Sequence, residues 1–164
     1  DIRNSRVDFG IGNVDGHPSS MIVESVMEEV LYALLPKDHP LTRSDLLRLA
    51  DLKEMPMISM PIESGLRRLI DSEAMKAGIQ LSHSIITKQF SSMLSFVSNG
   101  LGVAIAPASV LHPFDDDRFV ARALYPAITR NIGVIHLAER PLGMAAESFL
   151  RTLRPVLKNA ISRL

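Results

Sequence analysis

Three serines stand where the chain is predicted to leave a strand or to enter a helix. Ser59 lies near the end of a short apolar run, residues 56–60, and Ser64 and Ser91 precede helical patterns. Free backbone N–H groups and the helix dipole favour a negative charge at such positions, and serine hydroxyls can add hydrogen bonds to a carboxylate. Helix capping is the simpler explanation of a serine there, and the residues alone favour it. The pattern is thus typical of helix caps or of an anion site.

Other side chains could complete an anion site. Gly12 and Asn13 follow a predicted strand and could form a facing wall, although an ordinary turn explains them equally well. Phe90 could close over a ligand, although phenylalanine is more often part of a core. Arg67 and Arg68 fall in the first turn of a predicted helix, where positive charge is mildly unfavourable. An anion would explain these arginines, but we expect them on a solvated face.

The sequence lacks the patterns of common catalytic and metal sites. It contains no cysteine, which excludes a disulfide framework and zinc–thiolate ligation. Its five histidines show no H-x-x-x-H spacing. Asp115, Asp116 and Asp117 lack the pattern of a calcium-binding EF-hand loop. Ser64 lacks the first glycine of a G-x-S-x-G elbow. We therefore expect a protein that is not an enzyme and holds neither a metal nor a cofactor.

A helix followed at once by a buried strand organises the chain. Residues 91–101 have an apolar face at helical spacing, and Gly100 stands where a glycine would end the helix. The apolar run GVAIAP follows, too short for a helix and closed by Pro107. A further strand candidate, residues 81–87, precedes the helix and completes a βαβ unit. In open α/β sheets, ligands lie beyond the carboxyl ends of such strands.

Alternating strand and helix patterns elsewhere predict an α/β fold. One helix begins at Ser64 and ends at Gly78, and a short one spans residues 45–49. The last helix begins near Gly143 and is interrupted at Pro155. Its predicted apolar stripe consists of Phe149, Leu153, Val156, Leu157, Ala160 and Leu164. Further strands are predicted at residues 7–11, 26–35, 56–60, 119–124 and 131–137.

The composition is that of an ordinary globular domain. A chain of 164 residues with 46% hydrophobic and 22% charged residues suits a single domain with one core. Its 18 basic and 18 acidic residues give zero net charge, which argues against direct binding to nucleic acid, because such binding usually needs a basic face. No signal-peptide pattern opens the chain and no apolar run approaches about 18 residues, so nothing indicates secretion or a membrane span.

Four motifs resemble the ligand-binding domain of LysR-type transcriptional regulators. They are VDFGIG at residues 7–12, EEVLYALLPKDHPL at residues 28–41, SSMLSFVSNGLGVAIAP at residues 91–107, and Arg130 leading into NIGVIHL. Each motif alone is weak. Their order and spacing, over nearly the whole chain, make the resemblance fairly specific.

The resemblance implies a two-lobed fold of the type II periplasmic-binding-protein kind. Lobe one would comprise residues 1–55 and 132–164, and lobe two residues 56–131, so that the chain crosses between lobes twice. The effector cleft of the family would lie at the three serines, with a facing wall from lobe one. Together with the candidates from the residues themselves, the predicted ligand-binding residues are Gly12, Asn13, Ser59, Ser64, Phe90 and Ser91.

The resemblance also implies a non-catalytic sensor in the cytoplasm. A small effector, most simply a carboxylate, would bind the closed form of two lobes better than the open form. The change would pass through a homodimer or homotetramer to attached DNA-binding domains. The chain itself would contact neither DNA nor a membrane.

The chain departs from the family pattern at its front. The first strand, helix and strand of the family's ligand domain have no counterpart, nor does its N-terminal helix-turn-helix, so we expect an incomplete lobe one. A solute-binding protein of a transporter is the alternative, because it can share the two-lobed architecture. An enzyme with an unrecognised hydrolase site is a third hypothesis.

Overall fold

Two compact units divide the chain in the computed structural model. Unit 1 consists of Asp1–Glu29 and Arg130–Leu164, and unit 2 consists of Val30–Thr129. The resemblance assigns residues 30–55 to lobe one, whereas the structure groups them with unit 2. The structure describes residues 2, 6–14, 16–111 and 117–161, and it describes 158–161 by their backbone alone.

The described residues form eight strands, four α-helices and two short 3-10 helices. The strands are β1 (Phe9–Asn13), β2 (Met21–Pro36), β3 (Leu46–Leu47), β4 (Pro56–Ser59), β5 (Ser82–Ile86), β6 (Val103–Pro107), β7 (Phe119–Leu124) and β8 (Thr129–Leu137). The α-helices are α1 (Gly65–Lys76), α2 (Phe90–Ser98), α3 (Ala108–Leu111) and α4 (Met144–Ile161). The 3-10 helices span Pro40–Arg43 and Leu49–Leu52. This alternation of strands and helices confirms the predicted α/β class.

Unit 1 combines an antiparallel strand pair with the last helix. β1 pairs with β8 along its whole length. Gly133 in β8 lies against the backbone carbonyl of Glu24, and a Cβ at that position would collide with the oxygen. The close approach explains why a glycine interrupts the buried apolar run of residues 132–135. α4 buries Leu150 against Val26 and Val134.

The predicted apolar stripe of α4 is partly wrong. Leu150, which the prediction omits, is fully buried, whereas Phe149 and Val156 are more than half exposed. The buried face is the row that starts at Leu150 and continues through Leu153 and Leu157, at helical spacing. The helix continues through Pro155. The side chains of Ala160 and Leu164 lie outside the described part of the chain.

Parallel strands form the centre of unit 2. β4 lies between β5 and β6 and is parallel to both. In β6, Val103 and Ile105 pack in one apolar cluster with α1, whereas Ala104 and Ala106 pack in another with α2. Successive side chains of a strand point to opposite faces, so α1 and α2 cover opposite faces of this sheet. The continuous apolar run GVAIAP is explained by this burial on both sides.

The segment between β2 and β4 differs from its prediction. A helix over residues 45–49 is wrong, because Leu46 and Leu47 instead form β3 and pair with β7. Leu47, Leu49 and Leu52 are buried in the same cluster as β6. The latter half of β2 also pairs with β6 and β7. These contacts are the reason why residues 30–55 belong to unit 2.

Candidate functional site

Four of the six candidate residues lie at one edge of unit 2. Parallel strands present their carboxyl ends on the same side, and the helices that follow them begin there. Ser59 is the last residue of β4, Ser64 directly precedes α1, and Phe90 and Ser91 are the first residues of α2, which follows β5. The backbone N–H of Thr87 donates to the carbonyl of Ser59, with N and O 2.9 Å apart, and ties the two strand ends together. Gly12 and Asn13 lie in unit 1, at the end of β1.

Ser59 is buried and hydrogen-bonded at its side chain. It is 7% exposed, and its Oγ lies 2.7 Å from Nδ1 of His83 in β5. Ser59 and Met57 point to the same face of β4, the face that α1 covers through Leu66 and Ile70. The hydroxyl group of Ser59 is therefore held between the sheet and α1.

The hydrogen bond of Ser59 opens a chain of polar contacts that reaches α1. Nε2 of His83 lies 3.0 Å from Oδ1 of Asp71. The other carboxylate oxygen of Asp71, Oδ2, accepts from Nε of Arg67 at 2.7 Å. Arg67 also donates to the carbonyl of Met60, with nitrogen and oxygen 3.4 Å apart. We call these four residues, Ser59, His83, Asp71 and Arg67, the serine–histidine chain.

Burial lowers the pKa of His83, and the neighbouring guanidinium of Arg67 lowers it further. The carboxylate of Asp71 acts in the opposite direction, both by its charge and by its hydrogen bond. The lowering effects are the larger, so the neutral imidazole is the favoured form of His83 at neutral pH.

The structure corrects the expectation for one of the two arginines. The sequence predicts Arg67 on a solvated face, but its side chain is only 11% exposed and forms an ion pair with Asp71. Arg68 is exposed, as expected, and donates to the carbonyl of Glu63.

Helix capping does not explain the two candidate serines at helix starts. Ser64 is the N-cap residue of α1, yet its side chain makes no capping hydrogen bond. The N-cap residue of α2 is Gln89, so Ser91 lies inside the first turn, where it is exposed. The interpretation of Ser91 as a cap is therefore wrong, because α2 begins at Phe90 and not after Ser91. Phe90 is half-buried and packs against both apolar clusters of unit 2.

A cavity of about 530 Å³ opens beside the serine–histidine chain. Arg67, Asp71 and His83 contribute polar groups to its lining, and Met75 and Ile79 contribute apolar ones. Its lining contains none of the predicted ligand-binding residues. The cavity gives the imidazole and the carboxylate of the chain access to solvent.

No local sequence pattern links Ser59 to the other three residues of the serine–histidine chain. Arg67 and Asp71 stand four apart on a predicted helix, which is the spacing of an ion pair and the signal that connects them. His83 has no metal-ligand spacing and carries no such signal. Its contact with Ser59 depends on how β4 pairs with β5, and in that pairing the register shifts between Met57 and Ile58. A shift of this kind leaves no signal in the sequence.

The order Ser59, His83 and Asp71 matches the residue types of a hydrolase triad. A hydrolase nucleophile is usually carried on a sharp, glycine-flanked turn at the end of its strand. Ser59 instead pairs with Ile86 as part of β4, and its neighbours in the sequence are Ile58 and Met60. The arrangement therefore fixes the orientation of a hydroxyl group without the turn that activates a nucleophile.

Among the described residues, no group of three or more His, Cys, Asp or Glu side chains could hold a metal ion. His112, Asp115 and Asp116, which were considered as metal ligands, lie outside those residues. The described helices also include none that is long and apolar enough to cross a membrane.

Comparison with known proteins gives a consistent result. The family model of the LysR substrate binding domain matches residues 1–158. The chain is 26% identical over 153 residues to an uncharacterized HTH-type transcriptional regulator, YfeR, of Shigella flexneri. The aligned region covers 93% of this chain and 50% of YfeR. It is 26% identical over 151 residues to the transcriptional dual regulator GltC of Bacillus subtilis, covering 90% of this chain and 50% of GltC. The chain thus spans about half the length of these curated relatives.

Solved structures show the same fold. The effector binding domain of QuiR in complex with shikimate superposes with a TM-score of 0.82 at 23% identity, covering 92% of this chain and 71% of that one. The regulatory domain of CcmR from Synechocystis PCC6803, in complex with 2-PG, gives a TM-score of 0.87 at 17% identity, covering 96% and 77%. At these identities the likeness concerns the fold alone. It confirms the type II periplasmic-binding-protein-like fold that the resemblance implies.

Proposed function

The chain belongs to the family of LysR substrate-binding domains, the effector-binding part of LysR-type transcriptional regulators, and we propose that its effector is a small anion, most simply a carboxylate. One observation carries this proposal. Ser64 precedes α1 at the carboxyl edge of the parallel strands, and its hydroxyl is not used as a helix cap. A hydroxyl and the free N–H groups of a helix start then face the same space, which suits an anion.

The proposed ligand-binding residues of unit 2 are Ser59, Ser64, Phe90 and Ser91. Ser91, exposed in the first turn of α2, offers a second hydroxyl beside free backbone N–H groups. Phe90 supplies an apolar surface at the same edge. Shikimate, which is bound in the QuiR structure, is a carboxylate and agrees with this ligand class. Gly12 and Asn13 remain predictions of the family resemblance.

Binding of the effector would act on the regulator by shifting a conformational equilibrium. A ligand stabilises the form that it binds better, and only this difference in affinity moves the equilibrium. The zero net charge argues against DNA contact by this chain, and we propose that DNA contact belongs to another part of the regulator. We propose a homodimer or homotetramer, acting in the cytoplasm, as the assembly that transmits the shift.

The two other hypotheses have less support. Both relatives described above are named as transcriptional regulators, which disfavours the solute-binding protein of a transporter. The serine–histidine chain favours a hydrolase, but Ser59 lies in a paired strand and lacks the glycine-flanked turn of a nucleophile, which argues against it. We therefore propose that the domain is not an enzyme.

A thermal-shift screen of small acids and small amines tests the ligand class. An acid at a hundredfold excess over its Kd should add about 2.7 kcal/mol to the free energy of unfolding. Stabilisation by amines and by no acid would contradict the proposal.

The substitution Ser64→Ala tests the residue that carries the proposal. Because no capping bond is lost, we expect almost unchanged stability, but roughly tenfold weaker binding of the acids found in the screen, since a hydrogen bond to a charged group is removed. Ser72→Ala is the matched control, because Ser72 is an exposed serine of the same helix, away from its start. Equal affinity of both variants for the acids would remove Ser64 from the site.

A further inference from the structure

The serine–histidine chain determines where its hydrogen atoms lie. A carboxylate has only acceptors, so Nε2 of His83, 3.0 Å from Asp71, must carry a hydrogen. In a neutral imidazole the other nitrogen, Nδ1, is then an acceptor. The contact of 2.7 Å between Nδ1 and Ser59 Oγ therefore has the serine as its donor. This tautomer is assigned from the hydrogen-bond network.

The assignment limits what Ser59 can offer to a ligand. A serine hydroxyl has a single hydrogen and two lone pairs. The hydrogen of Ser59 is occupied by His83, so that only acceptor capacity remains. A carboxylate oxygen facing Ser59 would meet a lone pair and be repelled, whereas a hydroxyl group would donate to it.

We propose that His83 is a positioning residue that sets the specificity of the effector site: it turns Ser59 into a hydrogen-bond acceptor, so that the effector carries a hydroxyl group there in addition to its carboxylate. The inference rests on the proposed function, because it requires Ser59 to touch the effector. The carboxylate belongs at the start of α1, beside Ser64, and the hydroxyl belongs at the end of β4. The effector class is thus a small hydroxy acid.

Protonation of His83 reverses the arrangement. Nδ1 of an imidazolium donates, and Ser59 then accepts from His83 and its own hydrogen becomes free for a carboxylate. The charged groups that face His83 are Asp71 and Arg67 of α1. β4 contributes the neutral Ser59, and the residues that flank His83 in β5, Ser82 and Ser84, carry no charge.

Asp71→Asn produces the same reversal without a change of pH. The side-chain oxygen of the asparagine stays with Arg67, which can only donate, so its NH₂ group faces Nε2 of His83. Nε2 must then accept, and the hydrogen moves to Nδ1 and points to Ser59. Glu73→Gln is the matched control, because Glu73 is a carboxylate of the same helix and its ion pair has the same length as that of Asp71. The two carboxylate side chains are also nearly equally exposed, 30% for Glu73 and 32% for Asp71.

Nitrogen NMR of histidine-labelled protein reads the tautomer directly, without a ligand. The His83 resonance is identified by its loss in His83→Gln. We expect the Nε2–H form in the wild type and in Glu73→Gln, and the Nδ1–H form in Asp71→Asn. An Nδ1–H form in the wild type would overturn the inference.

Calorimetry with matched pairs of acids measures the consequence for binding. The pairs are malate and oxaloacetate, and lactate and pyruvate, in which the first member carries a hydroxyl group and the second a carbonyl oxygen, which can only accept. Among the pairs that bind, we expect the wild type and Glu73→Gln to bind the hydroxy acid at least tenfold more tightly. The preference should disappear in Ser59→Ala, and also in Asp71→Asn, because a donating Ser59 can bond to a hydroxyl group and to a carbonyl oxygen alike.

The outcomes separate the inference from the function on which it rests. Equal affinity of wild-type protein for both members of a pair would overturn the role of His83 and leave the anion site standing. If none of these acids binds, the proposed anion site is overturned. The inferred effector class is then overturned as well, even if the NMR spectra show the expected tautomer of His83.

Discussion

Glu29 of unit 1 and Ser59 of unit 2 are the two buried polar side chains among the described residues, and they are satisfied in opposite ways. Glu29 is 1% exposed, and its Oε2 accepts from two nitrogens of the Arg130 guanidinium, both at 2.8 Å. That cluster brings together two full charges. Ser59 is neutral and forms its hydrogen bond with the neutral imidazole of His83. The charged members of the serine–histidine chain, Asp71 and Arg67, make no direct contact with Ser59 among the hydrogen bonds described above.

The difference separates a stabilising contact from an adjustable one. Removing one partner of a buried ion pair leaves a charge without compensation in a medium of low polarity, so such a pair tolerates little change. The hydrogen bond between Ser59 and His83 can reverse its direction when His83 takes up a proton, provided that the imidazole can exchange that proton with solvent. The cavity beside His83 and Asp71 supplies that access. We therefore expect mutations at Glu29 and Arg130 to act on stability, and mutations in the serine–histidine chain to act mainly on ligand choice.

Arg130→Met should produce the largest loss of stability. It removes the Arg130 guanidinium from the buried carboxylate of Glu29, which costs about 3–5 kcal/mol of unfolding free energy. Urea denaturation measures the loss. The double variant Glu29→Leu with Arg130→Met is the control and should recover most of it, because an apolar pair of similar size replaces the ion pair. A loss below about 1 kcal/mol in Arg130→Met would show that the pair is not the main support of this region.

Ser59→Ala should cost less stability. The substitution removes a neutral hydroxyl and leaves one acceptor of His83 without its donor, for which about 1–2 kcal/mol is the expected loss. The same urea titration measures it, with Ser84→Ala on the exposed side of β5 as the control. A loss as large as that of Arg130→Met would contradict the contrast between the two clusters.

Acidification should weaken the native state through His83. Of the residue types in the two polar clusters, only histidine changes its charge near neutral pH. Burial and Arg67 lower the pKa of His83 in the folded protein from its ordinary value of 6.5, so the unfolded chain takes up the proton more readily. The stability that neutral His83 contributes is therefore fully present above about pH 6.5. It is lost as the pH falls through the lower pKa of the folded state.

Unfolding free energies of the wild type and of His83→Gln, measured between pH 8 and pH 5, test this direction. The advantage of the wild type over the variant should shrink as the pH falls below about 6.5. The variant serves as its own control, because all other titrating groups contribute equally to both proteins. An advantage that grows on acidification would mean that the charged imidazole is the favoured form in the fold.

The fold was largely predictable from sequence, whereas the polar clusters were not. The βαβ unit around α2 follows from a continuous apolar run and a helical pattern, and β7 has the predicted bounds. Local patterns failed for residues 45–49, where two leucines joined a distant strand, and for Leu150, whose burial depends on which side of α4 meets the sheet. The contact of Ser59 with His83 required a strand pairing and a register shift, neither of which leaves a local pattern.

Lys76→Ala should have the smallest effect and sharpens the comparison within one helix. Lys76 and Glu73 form an ion pair of 2.7 Å in α1, the same length as the pair between Arg67 and Asp71. The lysine side chain is 69% exposed, whereas that of Arg67 is 11% exposed. Exposed pairs lose most of their attraction to water and salt, so Lys76→Ala should change the unfolding free energy by less than about 0.5 kcal/mol.

Arg67→Ala is the partner measurement on the same helix, because its ion pair has the same length but its cation is largely shielded from solvent. Its loss should be clearly larger than that of Lys76→Ala, because the alanine also removes the packing of the arginine stem and leaves Asp71 with a weaker set of donors. Raising the salt concentration should reduce the small effect at Lys76 and leave the effect at Arg67 nearly unchanged, since buried pairs are screened much less. Equal losses in the two variants, or an equal response to salt, would show that burial does not distinguish the serine–histidine chain from an ordinary surface pair.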